Sequence, residues 1–142
     1  MFKIIVFSHG DLAKSLKETA ELISGSNELV EFYGVPLGCD TGAVLNQVSA
    51  SIKESEICKI DVLVLTDLFS GTPFNLLMTL IDDHKFNHIT GVNLPMLLEA
   101  ILLQNQPELS MESVVSAIVS KGREAIGDCN LLVHHLLGKK ED

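Results

Sequence analysis

The sequence predicts an α/β domain built on a largely parallel sheet. Short apolar runs of strand length alternate with longer runs whose apolar residues recur every third or fourth position, an order that leads to right-handed βαβ units. One short run, Ile60 to Thr66, is almost continuously apolar, as a central strand covered on both faces must be. The joints between runs carry residues that start helices (Asp, Ser, Thr, Asn) or stop them (Gly, Pro). At 142 residues, 46% of them hydrophobic, the chain has material for one core and the length of one domain.

The first strand covers Phe2 to Phe7 and breaks into Ser8-His9-Gly10. Asp11 can cap the helix that follows, with Leu12, Leu16, Ala20 and Ile23 on one face and Gly25 as its stop. Leu29 to Val35 forms the second strand and Pro36-Leu37-Gly38-Cys39 a loop; Asp40 or Thr41 then starts a helix carrying Val44, Val48 and Ile52. After the third strand, Ile60 to Thr66, comes Asp67-Leu68-Phe69-Ser70-Gly71-Thr72-Pro73, with Thr72 as a cap and Pro73 at the first helical position, where a missing NH does no harm. The third helix, Phe74 to about Ile81, is apolar around most of its circumference, which predicts deep burial or packing on another subunit. His88 to Val92 is the fourth strand, and Asn93-Leu94-Pro95 starts a helix through Met96, Leu97, Ile101 and Leu102 that ends before Pro107. Ser110 caps a fifth helix bearing Val114, Val115, Ile118, Val119, Ala125 and Ile126. Asn130 to Leu137 suits a strand in length and apolar content, although a short helix also fits, and residues 138–142 read as a disordered tail.

Composition narrows the function. A formal net charge of −9, with no basic stretch rising against it, disfavours nucleic acid and anionic lipid as partners. No run of about 18 apolar residues offers a membrane span, and the first strand begins too soon after Met1 for a signal peptide. Three widely spaced cysteines, Cys39, Cys58 and Cys129, suggest neither a disulfide framework nor a zinc knuckle, and fit reduced thiols in a cytoplasm.

Two strand-to-helix corners carry the candidate chemistry. In a flavodoxin-like sheet of strand order 2-1-3-4, winding reverses between strands 1 and 3, and ligands collect in the crevice where those strands end. His9 follows strand 1 and Asp67 follows strand 3, so this topology makes them face each other. A carboxylate accepting from one ring nitrogen fixes the imidazole tautomer, frees the other nitrogen's lone pair and stabilises the positive ring formed when that pair attacks an electrophile. Ser70-Gly71-Thr72 adds backbone amides and hydroxyls at a helix start, suited to an anion. Together these groups describe a phosphoryl carrier.

The segments Ser8-His9-Gly10-Asp11-Leu12-Ala13, Thr66-Asp67-Leu68-Phe69-Ser70-Gly71-Thr72-Pro73-Phe74-Asn75 and Gly91-Val92-Asn93-Leu94-Pro95-Met96-Leu97-Leu98-Glu99 resemble, in order and spacing, the three signature blocks of the mannose-family (mannose/fructose/sorbose) IIA component of the bacterial phosphotransferase system. The similarity runs from Met1 to about Ile126, within a domain of 1–137; the family pattern has glycine where Ser70 stands and serine where Thr72 stands. The resemblance implies a cytoplasmic phosphotransferase component that accepts a phosphoryl group from phospho-HPr and passes it to a histidine of a IIB component during sugar uptake. By position, His9 would be phosphorylated on the nitrogen remote from its backbone, Asp67 would hold the other nitrogen, and Ser70, Gly71 and Thr72 would line the phosphate site. It implies no metal or nucleotide, because donor and acceptor are both phosphoramidates. It also implies a homodimer whose C-terminal strand, antiparallel to the others, is exchanged between subunits. A phosphocarrier subunit feeding a dihydroxyacetone kinase resembles the same domain, and a regulatory phosphohistidine module is a further reading.

Other residues are expected to be bystanders. His84 and His88 flank a strand start and read as solvated; His134 and His135, adjacent on a strand, would point to opposite faces and share no metal. Cys39 has nothing near in sequence to activate it. Neither GxGxxG nor GxxxxGK[ST] occurs.

Overall fold

A computed structural model describes residues 1–138 of the chain. Its centre is a parallel sheet in the order β2-β1-β3-β4, formed by β1 (Phe2–His9), β2 (Val30–Val35), β3 (Asp61–Thr66) and β4 (Asn87–Thr90). The helices are α1 (Leu12–Ser24), α2 (Thr41–Ile57), α3 (Thr72–Met78), α4 (Leu94–Leu103), α5 (Met111–Glu124) and α6 (Cys129–Gly138). Strand order and direction are those the sequence predicts, and the winding reverses between β1 and β3.

Alternate side chains of a strand point to opposite faces, so the middle stretches of the two central strands must be apolar on both. Ile4, Val6, Leu63 and Leu65 pack with residues of α1, α4 and α5 on one face. Ile5, Phe7, Val62 and Val64 pack with Val48 and Ile52 of α2 and Leu77 of α3 on the other. All eight are buried, each contributing roughly 1.5–3 kcal/mol relative to exposure.

Three predicted caps form. Asp40 accepts from the Ala43 amide at 3.2 Å, Asn93 from the Met96 amide at 3.0 Å, and Ser110 from the Ser113 amide at 3.2 Å. Two others are corrected. Asp11 makes no side-chain cap; the buried Ser8 hydroxyl instead accepts from the Ala13 amide at 2.7 Å. Gly71 is the cap of α3, with Thr72 and Pro73 its first two residues. That helix also stops at Met78, with Pro73 and Leu77 buried but Met78 and Ile81 exposed, so its apolar circumference is only partly used within the chain. Leu12 and Ile23, expected on the buried face of α1, are exposed, and Ala13 and Ala20 are its buried residues.

The expected C-terminal strand is not formed; the segment is α6. Asp128 explains this, accepting from the Asn130 amide at 3.0 Å and the Leu131 amide at 3.2 Å while its carbonyl accepts from the Leu132 amide at 3.1 Å. A helix satisfies its backbone internally, whereas a strand needs a neighbour. The expected disordered tail lies, from residue 139 onward, outside the described residues. Among the described residues, no helix is long and apolar enough to cross a membrane.

Candidate functional site

The sheet register builds the site. Phe7 of β1 lies opposite Thr66 of β3, so the next residues of both strands emerge together at the carboxyl edge. Asp67 Oδ2 there accepts twice from His9, from its backbone amide at 2.9 Å and at 2.8 Å from Nδ1, which therefore carries the ring proton. Asp67 Oδ1 accepts from the Leu68 amide at 2.9 Å. The acid is set inward and the base outward, their side chains being 10% and 45% exposed. Burial works against ionisation of Asp67. The hydrogen bonds from the His9 amide and ring, the attraction that ring exerts once it is positive, and the Leu68 amide outweigh it and hold the carboxyl below the ordinary aspartate value.

The His9 backbone is fixed from below by Ser8, whose hydroxyl donates to the His9 carbonyl at 3.0 Å while capping α1. Gly71 fixes the ring from the side, since a Cβ at that position would stand 2.6 Å from His9 Cε1 and 3.3 Å from Nε2. Only glycine lets the loop approach the ring so closely. The Gly71 amide donates to the Leu68 carbonyl at 3.0 Å, so its part is close approach rather than the free amide expected for an anion. Ser70 stands in the left-handed backbone region at φ 60°, and the Asn75 side-chain amide braces its carbonyl at 2.9 Å. Thr72 lines, with His9, Val35, Pro36 and Cys39, a hollow of about 400 Å³ open to one side of the imidazole.

The five predicted site residues thus come together on one rim, with His9 and Asp67 in contact, Gly71 against the ring, Thr72 at the hollow, and Ser70 shaping the loop. Nδ1 bound to a carboxylate leaves the Nε2 lone pair as a nucleophile, with the negative charge placed to stabilise the resulting imidazolium.

Sequence reasoning missed Ser8, Asn75, Thr66 and His88. The reading of His84 and His88 as solvated is corrected. His84 is bracketed between Glu56, at 3.1 Å from Nδ1, and Ser49, at 2.9 Å from Nε2. His88 Nε2 lies 2.8 Å from the Thr66 hydroxyl. The Asn75 signal was present in sequence, an amide one turn into a helix that starts at a glycine.

Comparison with known proteins meets this geometry. Residues 3–119 match the family model for the phosphotransferase system (PTS) fructose IIA component. The chain belongs to this family. It is 30% identical over 124 residues to the mannose-specific EIIAB component of Escherichia coli K12, an alignment covering 87% of this chain and 38% of that protein. The sorbose-specific EIIA component of Lacticaseibacillus casei is 31% identical over 120 residues, with 82% of this chain and 83% of that protein covered. Among solved structures, the phosphotransferase system component EIIA from Streptococcus agalactiae superposes with a TM-score of 0.80 at 30% identity, covering 92% of this chain and 99% of that one. In this IIA chain, His9, Asp67 and Gly71 lie inside the matched region, whereas α6 lies beyond it.

Proposed function

We propose that this IIA chain is a phosphoryl carrier that takes a phosphoryl group from the phosphohistidine of HPr onto His9 and gives it to a histidine of a IIB component that serves sugar uptake. The observation that carries the reading is the 2.8 Å contact of His9 Nδ1 with Asp67, which leaves Nε2 unprotonated at an open rim. In the forward step the Nε2 lone pair forms a bond to phosphorus as the donor's P–N bond breaks, and that bond's electron pair returns to the donor imidazole. His9 then carries a proton on Nδ1 and a phosphoryl group on Nε2, and Asp67 balances the ring's positive charge. Return of the ring to neutrality accompanies transfer to IIB, so no net proton is consumed. Ser70, Gly71 and Thr72 border the space the phosphoryl group would occupy. Donor and acceptor bonds are alike in kind, so alignment and charge placement supply the catalysis and no cofactor enters.

Exposed Leu37, which lines the hollow with His9, and exposed Leu68 and Phe69, which follow Asp67, offer apolar surface suited to docking a carrier protein. We infer a homodimer as well. Leu131, Leu132, Val133, Leu136 and Leu137 leave α6 apolar and exposed in the single chain, more than an isolated surface helix ordinarily shows. The free thiols of Cys39, Cys58 and Cys129 suit a cytoplasmic carrier.

The test supplies radiolabelled phosphoenolpyruvate, Enzyme I and HPr, then offers the labelled chain to purified IIB and, separately, to a dihydroxyacetone kinase subunit. Acid-labile, base-stable label that passes to IIB supports the proposal. Label that passes only to the kinase subunit, or to neither, replaces it by the kinase-feeding or the regulatory reading.

A further inference from the structure

Behind the His9–Asp67 rim lies a second histidine that neither the catalytic step nor the family signatures use. Val64, Thr66 and His88 share the sheet face covered by α2 and α3, since Val64 and His88 are register partners across β3 and β4. Thr66, the last residue of β3 and the one directly before Asp67, is fully buried, and its hydroxyl lies 2.8 Å from His88 Nε2. The His88 ring stacks at 5.1 Å and 45° on Phe74, in the first turn of α3, and Phe74 stacks at 4.9 Å and 58° on Phe69. Both ends of the segment 67–72 are therefore tied to His88, one through Thr66 and the other through Phe74.

We propose that His88 is a positioning residue for His9: it clamps the segment 67–72 so that Asp67 meets Nδ1 and Gly71 bears on the far edge of the ring. The proposal rests on the carrier reading only for what the positioning serves. The segment needs a clamp because Ser70 holds a left-handed conformation, which an L-residue keeps only where its surroundings enforce it. Asn75 fixes the Ser70 carbonyl from within the same loop and helix, so it cannot by itself set their distance from β1. A hydrogen bond from β4 to Thr66 and an aromatic column from β4 to Phe69 can. Burial pushes the His88 imidazole below its ordinary value, and the neutral ring that results can share a hydrogen with a hydroxyl.

The test compares wild type, His88→Gln, His88→Leu and the double variant Thr66→Val/His88→Leu in the full chain. The double variant removes both polar partners, so no buried hydroxyl is orphaned and folding is preserved. Three quantities are read: the melting temperature, the tautomer of the neutral His9 ring from its nitrogen chemical shifts, and the rate of labelling by phospho-HPr. Wild type should hold the proton on Nδ1. The double variant should melt close to wild type, show His9 as a mixture of tautomers and label on the order of tenfold more slowly, the scale of a modest loss of alignment. His88→Gln, whose amide reaches Thr66, should recover most of both. Phe74→Leu, cutting the other tie, should shift the tautomer in the same direction and serves if the double variant fails to fold. A pure Nδ1–H tautomer in the folded double variant, or in Phe74→Leu in its place, overturns the proposal whatever the rate. Failure of wild type to take label would instead overturn the carrier reading, leaving the tautomer comparison to decide the role of His88.

Discussion

Among the described residues are two histidine–carboxylate pairs, and they are built inside out relative to each other. At the carboxyl edge of the sheet, Asp67 is the buried partner and His9 the exposed one, joined at 2.8 Å. At the opposite edge, His84 is the more buried partner, 13% exposed against 30% for Glu56, joined at 3.1 Å. Both nitrogens of His84 are occupied, Nδ1 by Glu56 and Nε2 by Ser49, and Glu56 also accepts from the Lys85 amide at 2.6 Å. The hollow beside this second pair, about 720 Å³, is larger than the one beside His9. Size is therefore a poor guide here. What separates the proposed nucleophile from a bracket is whether the second ring nitrogen is left without a partner and outside.

The largest expected contrast comes from removing each imidazole. His9→Ala should abolish labelling by phospho-HPr, whereas His84→Ala should label within about twofold of wild type and lose about 1–2 kcal/mol of stability from its two hydrogen bonds. Loss of label in the folded His84 variant would dissolve the distinction between the pairs. Removing the acids sharpens it: Asp67→Ala should slow transfer on the order of 10²-fold, the range for a group that orients and charges a catalytic base, while Glu56→Gln should leave the rate alone. Gly71→Ala comes next. Its new methyl would stand 2.6 Å from His9 Cε1, so the ring or loop must move, with transfer slower by about tenfold and stability lower by about 1–3 kcal/mol.

Acid titration probes the His9–Asp67 pair in a gentler way. Because the folded carboxyl of Asp67 lies below its ordinary 3.8, the stabilisation it brings is complete above that value and is lost as pH falls through the lower folded one. The stability difference between wild type and Asp67→Asn should thus shrink on acidification below 3.8, measured by denaturant unfolding; a difference that grew there would reverse the sign of the account. The smallest effect is expected at Ser70→Gly, which relieves a left-handed residue at φ 60° and should stabilise by about 0.5 kcal/mol with little change in rate.

Legibility in the sequence followed the range of the forces involved. The four parallel strands and the caps at Asp40, Asn93 and Ser110 are local patterns, and each was readable from a few residues. The His9–Asp67 contact is long-range, yet strand order and the edge rule convert it into a consequence of topology. The Thr66–His88 contact has no such rule, because it joins the last residue of one strand diagonally to a residue of its neighbour, and the sequence does not state their register. Ser8 was hidden by Asp11, the more familiar capping residue, which stands where its own side chain makes no cap. The C-terminal segment was ambiguous for a further reason: Leu131, Leu132, Val133, Leu136 and Leu137 fit either period, and Asp128, the residue that decides for a helix, lies just outside the apolar run.

The central claim is that Nε2 of His9, freed by Asp67, is the atom that takes the phosphoryl group. Nitrogen-15 labelling of the histidines, followed by phosphorylation from phospho-HPr and measurement of phosphorus–nitrogen coupling, tests it directly. A single coupling to Nε2 of His9, with Nδ1 still bearing a proton, is the predicted result. Coupling to Nδ1 of His9, or to either nitrogen of His84, would contradict the account.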